Sequence, residues 1–169
     1  MRCGTAGRPH RTTAGRESGV VGISDPLNDE DLARLQQAAL AGVLGARPLA
    51  PGVPAPRLAD LQFARSGDAL ALSEQNLASG LDVAALPQRI QVGAPADLRD
   101  GRAGQAASGA GYLQFSPARV DGDQLTMGLQ VLAFPPGSAQ PVPISAVTLR
   151  YRRHGGDWLP SEPPAALSS

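Results

Sequence analysis

In two runs, 125–131 and 147–151, on either side of a Pro-rich loop at 135–143, apolar side chains fall at every second position, and this alternation constrains the chain more than any other feature. In QLTMGLQVLAF (124–134) it sets Leu125, Met127, Leu129 and Val131 on one face, and in ISAVTLRYRRH (144–154) it sets Val147, Leu149 and Tyr151 on one face. A period of two belongs to a half-buried strand rather than a helix. Upstream, YLQFSPARV (112–120) leads into Asp121, Gly122 and Asp123, so 112–134 is predicted to be a hairpin with Gly122 in its turn. Leu113 and Phe115 keep one register while Ala118 and Val120 keep the opposite one, which predicts a bulge at Ser116 and Pro117.

The alternation stops at Gly155, Gly156 and Asp157, a predicted turn, after which Trp158 and Leu159 close the sheet and 161–169, rich in proline, reads as a disordered tail. A first hairpin is expected from LADLQFA (58–64) and DALALS (68–73) around Arg65, Ser66 and Gly67, with Leu61, Phe63, Leu70 and Leu72 sharing a buried face. RIQV (89–92) alternates as a short strand, and GRAGQAASGAG (101–111) reads as a loop. That loop lacks the lysine and the spacing of a phosphate-binding turn.

Ahead of the strands, Asn28 caps a predicted helix over 29–44 that opens with Asp29, Glu30 and Asp31 at the positive end of the helix dipole. Leu32, Leu35, Leu40 and Val43 form its apolar stripe, with Arg34, Gln36 and Gln37 on the wet side and Gly42 or Gly45 at its end. The four prolines of ARPLAPGVPAPR (46–57) make a connector that can neither extend the helix nor enter a sheet interior. Residues 1–24 hold four arginines against one glutamate and bear no regular period, so they read as a disordered basic leader before a single domain over 25–160.

Composition bounds how much core these elements can share. Of 169 residues, 28 are alanine, and only 37 are Leu, Ile, Val or Phe, so the core is expected to be thin. All 15 basic residues are arginine, which with the abundance of Ala, Gly and Pro suggests a GC-rich, bacterial coding sequence. They are balanced by 15 acids, which makes nucleic acid an improbable main partner. No apolar run reaches the length of a membrane span or a secretory signal, so the chain as written reads as soluble and cytoplasmic; an in-frame upstream extension carrying a signal or lipobox would move it outside.

The chemistry-bearing residues are sparse. One cysteine, Cys3, and two histidines, His10 and His154, cannot supply a zinc ligand set, and neither histidine is placed to activate a nucleophile. No cofactor, metal or catalytic residue is implied. Asp68, Asp121, Asp123 and Asp157 lie beside glycines, where Asx turns want them. Arg150, Arg152 and His154 on one strand face, with Trp158 close behind, read first as a solvent-facing arginine row on a sheet and second as a contact surface for an anion or acidic partner.

Taken together, the pattern predicts an α+β domain with an N-terminal helix packed on a curved, mostly antiparallel sheet of about five or six strands. This order, a helix and then strands ending in a turn and a tryptophan, resembles the cystatin-like and NTF2-like group of small domains, the strands, turn and tryptophan of residues 110–160 carrying a likeness of architecture that implies no activity. The expected function is a non-catalytic binding or protein-interaction module. A pocket for a small apolar ligand, with weak turnover by a lone acid, and weak nucleic-acid or anion binding through arginines are the alternatives.

Overall fold

A computed structural model describes residues 27–100, 111–135 and 137–168. The 1–24 leader and, apart from Gly111, the 101–111 loop lie outside the described residues. The chain is α+β, with a 17-residue helix α1 (Asp29–Gly45), a short helix α2 (Pro95–Asp100) and a curled mixed sheet.

Nine strand segments make up the sheet among the described residues: β1 (Arg65–Ser66), β2 (Ala69–Ser73), β3 (Arg89–Gly93), β4 (Gly111–Phe115), β5 (Arg119–Asp121), β6 (Gln124–Ala133), β7 (Val142–His154), β8 (Asp157–Pro160) and β9 (Ala165–Ser168). The main path runs β9-β7-β6-β4-β2-β1, with β3 on β2, β5 on β6 and β8 on β7. The expected five or six strands are thus exceeded, because short edge segments without alternation of their own add to the sheet.

The sheet is also mixed rather than mostly antiparallel. β2 runs parallel to β3, with Leu70 opposite Ile90, and parallel to β4, with Leu72 opposite Leu113. Parallel neighbours need long crossovers, and the segment 74–88 and the one carrying α2 supply them. Flanked on both edges, β2 is buried at all five positions, so Ala69, Ala71 and Ser73 are as covered as Leu70 and Leu72. Its predicted partner strand does not form over 58–64. Only Arg65 and Ser66 pair with β2, around Gly67 at φ 65°, and Leu61–Ala64 makes a 3-10 turn after Asp60, itself at φ 63°.

The second hairpin follows the alternation. β4 and β6 pair antiparallel, with Leu113 opposite Val131 and Phe115 opposite Leu129, and Gly122 turns at φ 63°. From Phe115 opposite Leu129 to Arg119 opposite Thr126, three residues of one strand face two of the other, which is the predicted bulge. Ser116 ties it down: its N–H donates to the Gly128 carbonyl at 2.9 Å, and its Oγ accepts from the Gly128 N–H at 2.8 Å.

β6 and β7 then pair from Gln124 opposite Arg152 to Ala133 opposite Val142, with one irregularity at Val131/Leu132. Leu125, Met127, Leu129, Val131, Val147, Leu149 and Tyr151 are all buried on the face that α1 covers through Leu35, Ala39 and Leu40. The opposite face has a smaller cluster of Ala71, Leu98 of α2, Tyr112, Leu132 and Phe134, in which the Tyr112 and Phe134 rings lie 5.7 Å apart.

Asn28 caps α1 as expected, its Oδ1 accepting from the Asp31 N–H at 2.7 Å. The helix ends at Gly45, and Ala46 takes the left-handed conformation at φ 55°. Gly42 has a different task, since a Cβ there would sit 2.8 Å from Pro56 Cδ, where the proline-rich connector crosses the helix.

Gln36, assigned by periodicity to the wet side, is 1% exposed. Its Nε2 donates to the Asn76 carbonyl at 2.7 Å, and its Oε1 accepts from the Ala78 N–H at 2.8 Å. Gln37 makes the same double contact with Asp82, and Asp29 accepts from Ser79, so one helix face holds the whole crossover 76–82. The acid triplet therefore does more than cap the helix.

The tail also differs from expectation. Residues 157–168 run antiparallel along one edge of β7: Asp157 lies opposite His154, Pro160 opposite Tyr151, Ala165 opposite Thr148 and Ser168 opposite Ser145. Gly155 and Gly156, at φ 58° and 101°, make the turn. Trp158 enters the core at 1% exposure, whereas Leu159 is 47% exposed on the other face.

Candidate functional site

The candidate surface lies on the sheet face away from α1, at the end remote from α2. Strand pairing sets Thr126 beside Arg150, Gln124 beside Arg152, and His154 beside Asp157. With Leu125, Tyr151, Pro160, Ser161 and Glu162 these residues line an open hollow of about 720 Å³. Arg150, Arg152 and His154 all reach it, because alternate residues of a strand project from the same face.

Trp158 does not join them. It sits opposite Arg153 on the α1 side, buried, with the Arg153 guanidinium 5.9 Å from its ring centroid. At that distance the pair is a cation–π contact that covers the end of the core. The linear string of arginines and aromatics is divided between two faces, as alternation requires.

Charge in the hollow is unevenly matched. Arg150 Nη1 donates to Glu162 Oε2 at 2.9 Å, with both side chains about half exposed. Solvent screens such a pair to about 1 kcal/mol or less. Arg152 and His154 have no ion-pair partner among the described residues. The remaining described arginines near acids are engaged elsewhere, Arg34 with Asp31 and Arg89 with Asp68.

Gln124, Thr126, Ser161 and Glu162 were not singled out by the sequence. The first two follow from hairpin register once β6 and β7 are aligned. Ser161 and Glu162 carry no such signal, since they precede two prolines in a segment without alternation.

Two further depressions lie elsewhere. One of about 510 Å³ is bordered by Asp29, Glu30, Arg34 and Asp82 over an apolar floor of Ala33, Gly80 and Ala85. The other, about 440 Å³, lies along the connector between Val43 and Leu58.

Buried polar side chains among the described residues are Gln36, Ser73 and Ser145, the last donating to the Ala59 carbonyl at 2.6 Å. Tyr151 buries its hydroxyl without a hydrogen-bond partner among the described residues, and desolvation pushes its phenol well above the usual range. Among the described residues no three His, Cys, Asp or Glu side chains converge, and no helix is long and apolar enough to cross a membrane. The chain matches no protein-family model, no curated protein and no solved structure.

Proposed function

We propose that this chain is a non-catalytic binding module that offers Arg150 and Arg152 to an anionic group on its partner. The observation that carries the reading is the hollow itself, in which Arg150 is held only by a solvent-exposed carboxylate and Arg152 by no ion pair among the described residues. Guanidinium groups bind carboxylate and phosphate through two parallel N–H donors, and Gln124, Thr126 and Ser161 add neutral polar groups at the rim. Binding is favoured over turnover because a general base needs an orienting partner, and His154 has no carboxylate bound to it among the described residues. A cystatin-like or NTF2-like relationship belongs to this reading as architecture only, supported by one long helix laid over a curled sheet.

An apolar-ligand pocket is less well supported. The space between α1 and the sheet holds Leu35, Leu40, Leu113, Phe115 and Leu125, each at 4% exposure or less.

The test is an amide NMR titration of the chain with inorganic phosphate and, separately, a tetraglutamate peptide. Shifts confined to 124–126 and 150–154, lost in Arg150→Ala/Arg152→Ala, are the expected result. Absent shifts, or identical shifts in the double variant, refute the reading.

A further inference from the structure

The chain's own C-terminal segment describes a ligand for the surface just assigned. From Asp157 to Ser161 the segment follows β7 residue for residue, ending with the Ser161 N–H donating to the Arg150 carbonyl at 3.0 Å. It resumes at Ala165 opposite Thr148. Glu162, Pro163 and Pro164 therefore face Leu149 alone, and the two prolines, lacking N–H groups, cannot hold a place in the ladder. This excursion sets the Glu162 carboxylate against Arg150 before the backbone returns as β9.

β9 is short, and the side chains of Ala165 and Ala166 are exposed. Backbone pairing with β7 and one screened ion pair hold the segment, and both are terms an extended peptide from another molecule could supply equally well.

We infer that the edge of β7 over 145–150 is a docking site for an extended peptide. The partner carries a carboxylate that meets Arg150, followed after two residues by a short strand that pairs with Ser145–Thr148, and residues 161–168 fill the site in cis. This inference rests on the proposed anion-accepting role of Arg150. It adds to that role the partner's backbone conformation and the spacing of its acid. The tethered copy competes at an effective concentration of about millimolar, so an untethered peptide binds well only when the cis strand is weakened.

The experiment uses the full chain and a fluorescent peptide of sequence SEPPAALSS. Ala165→Pro/Ala166→Pro removes two adjacent amides, one of which must face β7 because strand N–H groups alternate, at exposed positions that leave the core untouched. This variant is expected to bind the peptide about ten-fold more tightly than the parent chain, with slowed amide exchange at 145–148. A peptide carrying Glu162→Gln should bind about two- to five-fold more weakly, the fold-change of one exposed ion pair.

No gain in affinity for the proline variant overturns the docking site, and if phosphate still shifts residues 150–152 the hollow stands without it. Equal affinity of the two peptides overturns the carboxylate seat. Concentration-dependent dimerisation of the parent chain without peptide binding overturns it in favour of strand exchange between copies.

Discussion

Gln36→Leu tests how α1 holds the crossover between β2 and β3. Leucine is apolar and of comparable size, so the site stays filled while both polar contacts vanish. The Ala78 N–H, on a residue 4% exposed, loses its 2.8 Å acceptor, and the Asn76 carbonyl loses its 2.7 Å donor. The buried Ala78 N–H left unpaired costs about 1–3 kcal/mol, whereas Asn76 is exposed and water can take the place of its lost donor. Asn76 stands at φ 61° and donates from Nδ2 to the Phe115 carbonyl at 2.9 Å, so the loop cannot relax without disturbing β4.

A total loss of about 1–3 kcal/mol follows, a large part of the ~5–15 kcal/mol that holds a domain together. At roughly 2–4 °C per kcal/mol for a chain of this size, the midpoint of thermal unfolding should fall by about 2–12 °C. Urea titration followed by fluorescence of the single tryptophan, Trp158, reads the same loss directly, because that ring is 1% exposed when folded. A destabilisation below about 0.5 kcal/mol, within the range of an ordinary surface substitution, would refute the argument that Gln36 is a buried clamp.

Other substitutions probe the sheet and the hollow. Tyr151→Phe removes a buried hydroxyl without a partner and should stabilise the chain by about 1 kcal/mol in urea at pH 8. Burial raises the folded phenol of Tyr151 above its unfolded value of 10.0, so the stability tied to its neutral form is complete below pH 10 and is lost as the pH rises beyond it. Tyr112 is raised in the same direction, so Tyr151→Phe should reduce the alkaline loss, seen by comparing urea midpoints at pH 9 and 11, without abolishing it. Gly111→Ala should cost about 1–3 kcal/mol by the same assay, since a Cβ there would lie 2.5 Å from the Leu132 carbonyl oxygen and 2.9 Å from that of Phe63.

The local layer of this protein is readable from its sequence. α1 and its Asn28 cap, the hairpin around Gly122, the bulge at Ser116 and the inward set on β7 all follow from spacing and turn chemistry, because each depends on residues within a few positions of one another. Arg150, Arg152 and His154 share a face for the same reason. Burial that depends on distant neighbours is not readable in this way. Ala69, Ala71 and Ser73 look like the wet half of an alternating strand, yet β3, β4 and α2 enclose them. Gln36 looks like a solvated helix residue until the crossover 74–82 supplies its partners. Trp158 looks like a neighbour of the arginine row until pairing with Arg153 turns it to the other face.

Periodicity and capping, being properties of contiguous residues, announced α1 and the strands β4 to β7 with the side each prefers, but not the 3-10 turn at Leu61–Ala64, α2 or β9. Only the tertiary structure decided the parallel pairing of β2 and the seating of 165–168 on β7. Edge pairing is made by backbone groups that every residue carries, so strands as short and small-sided as these leave no pattern of side chains to announce it.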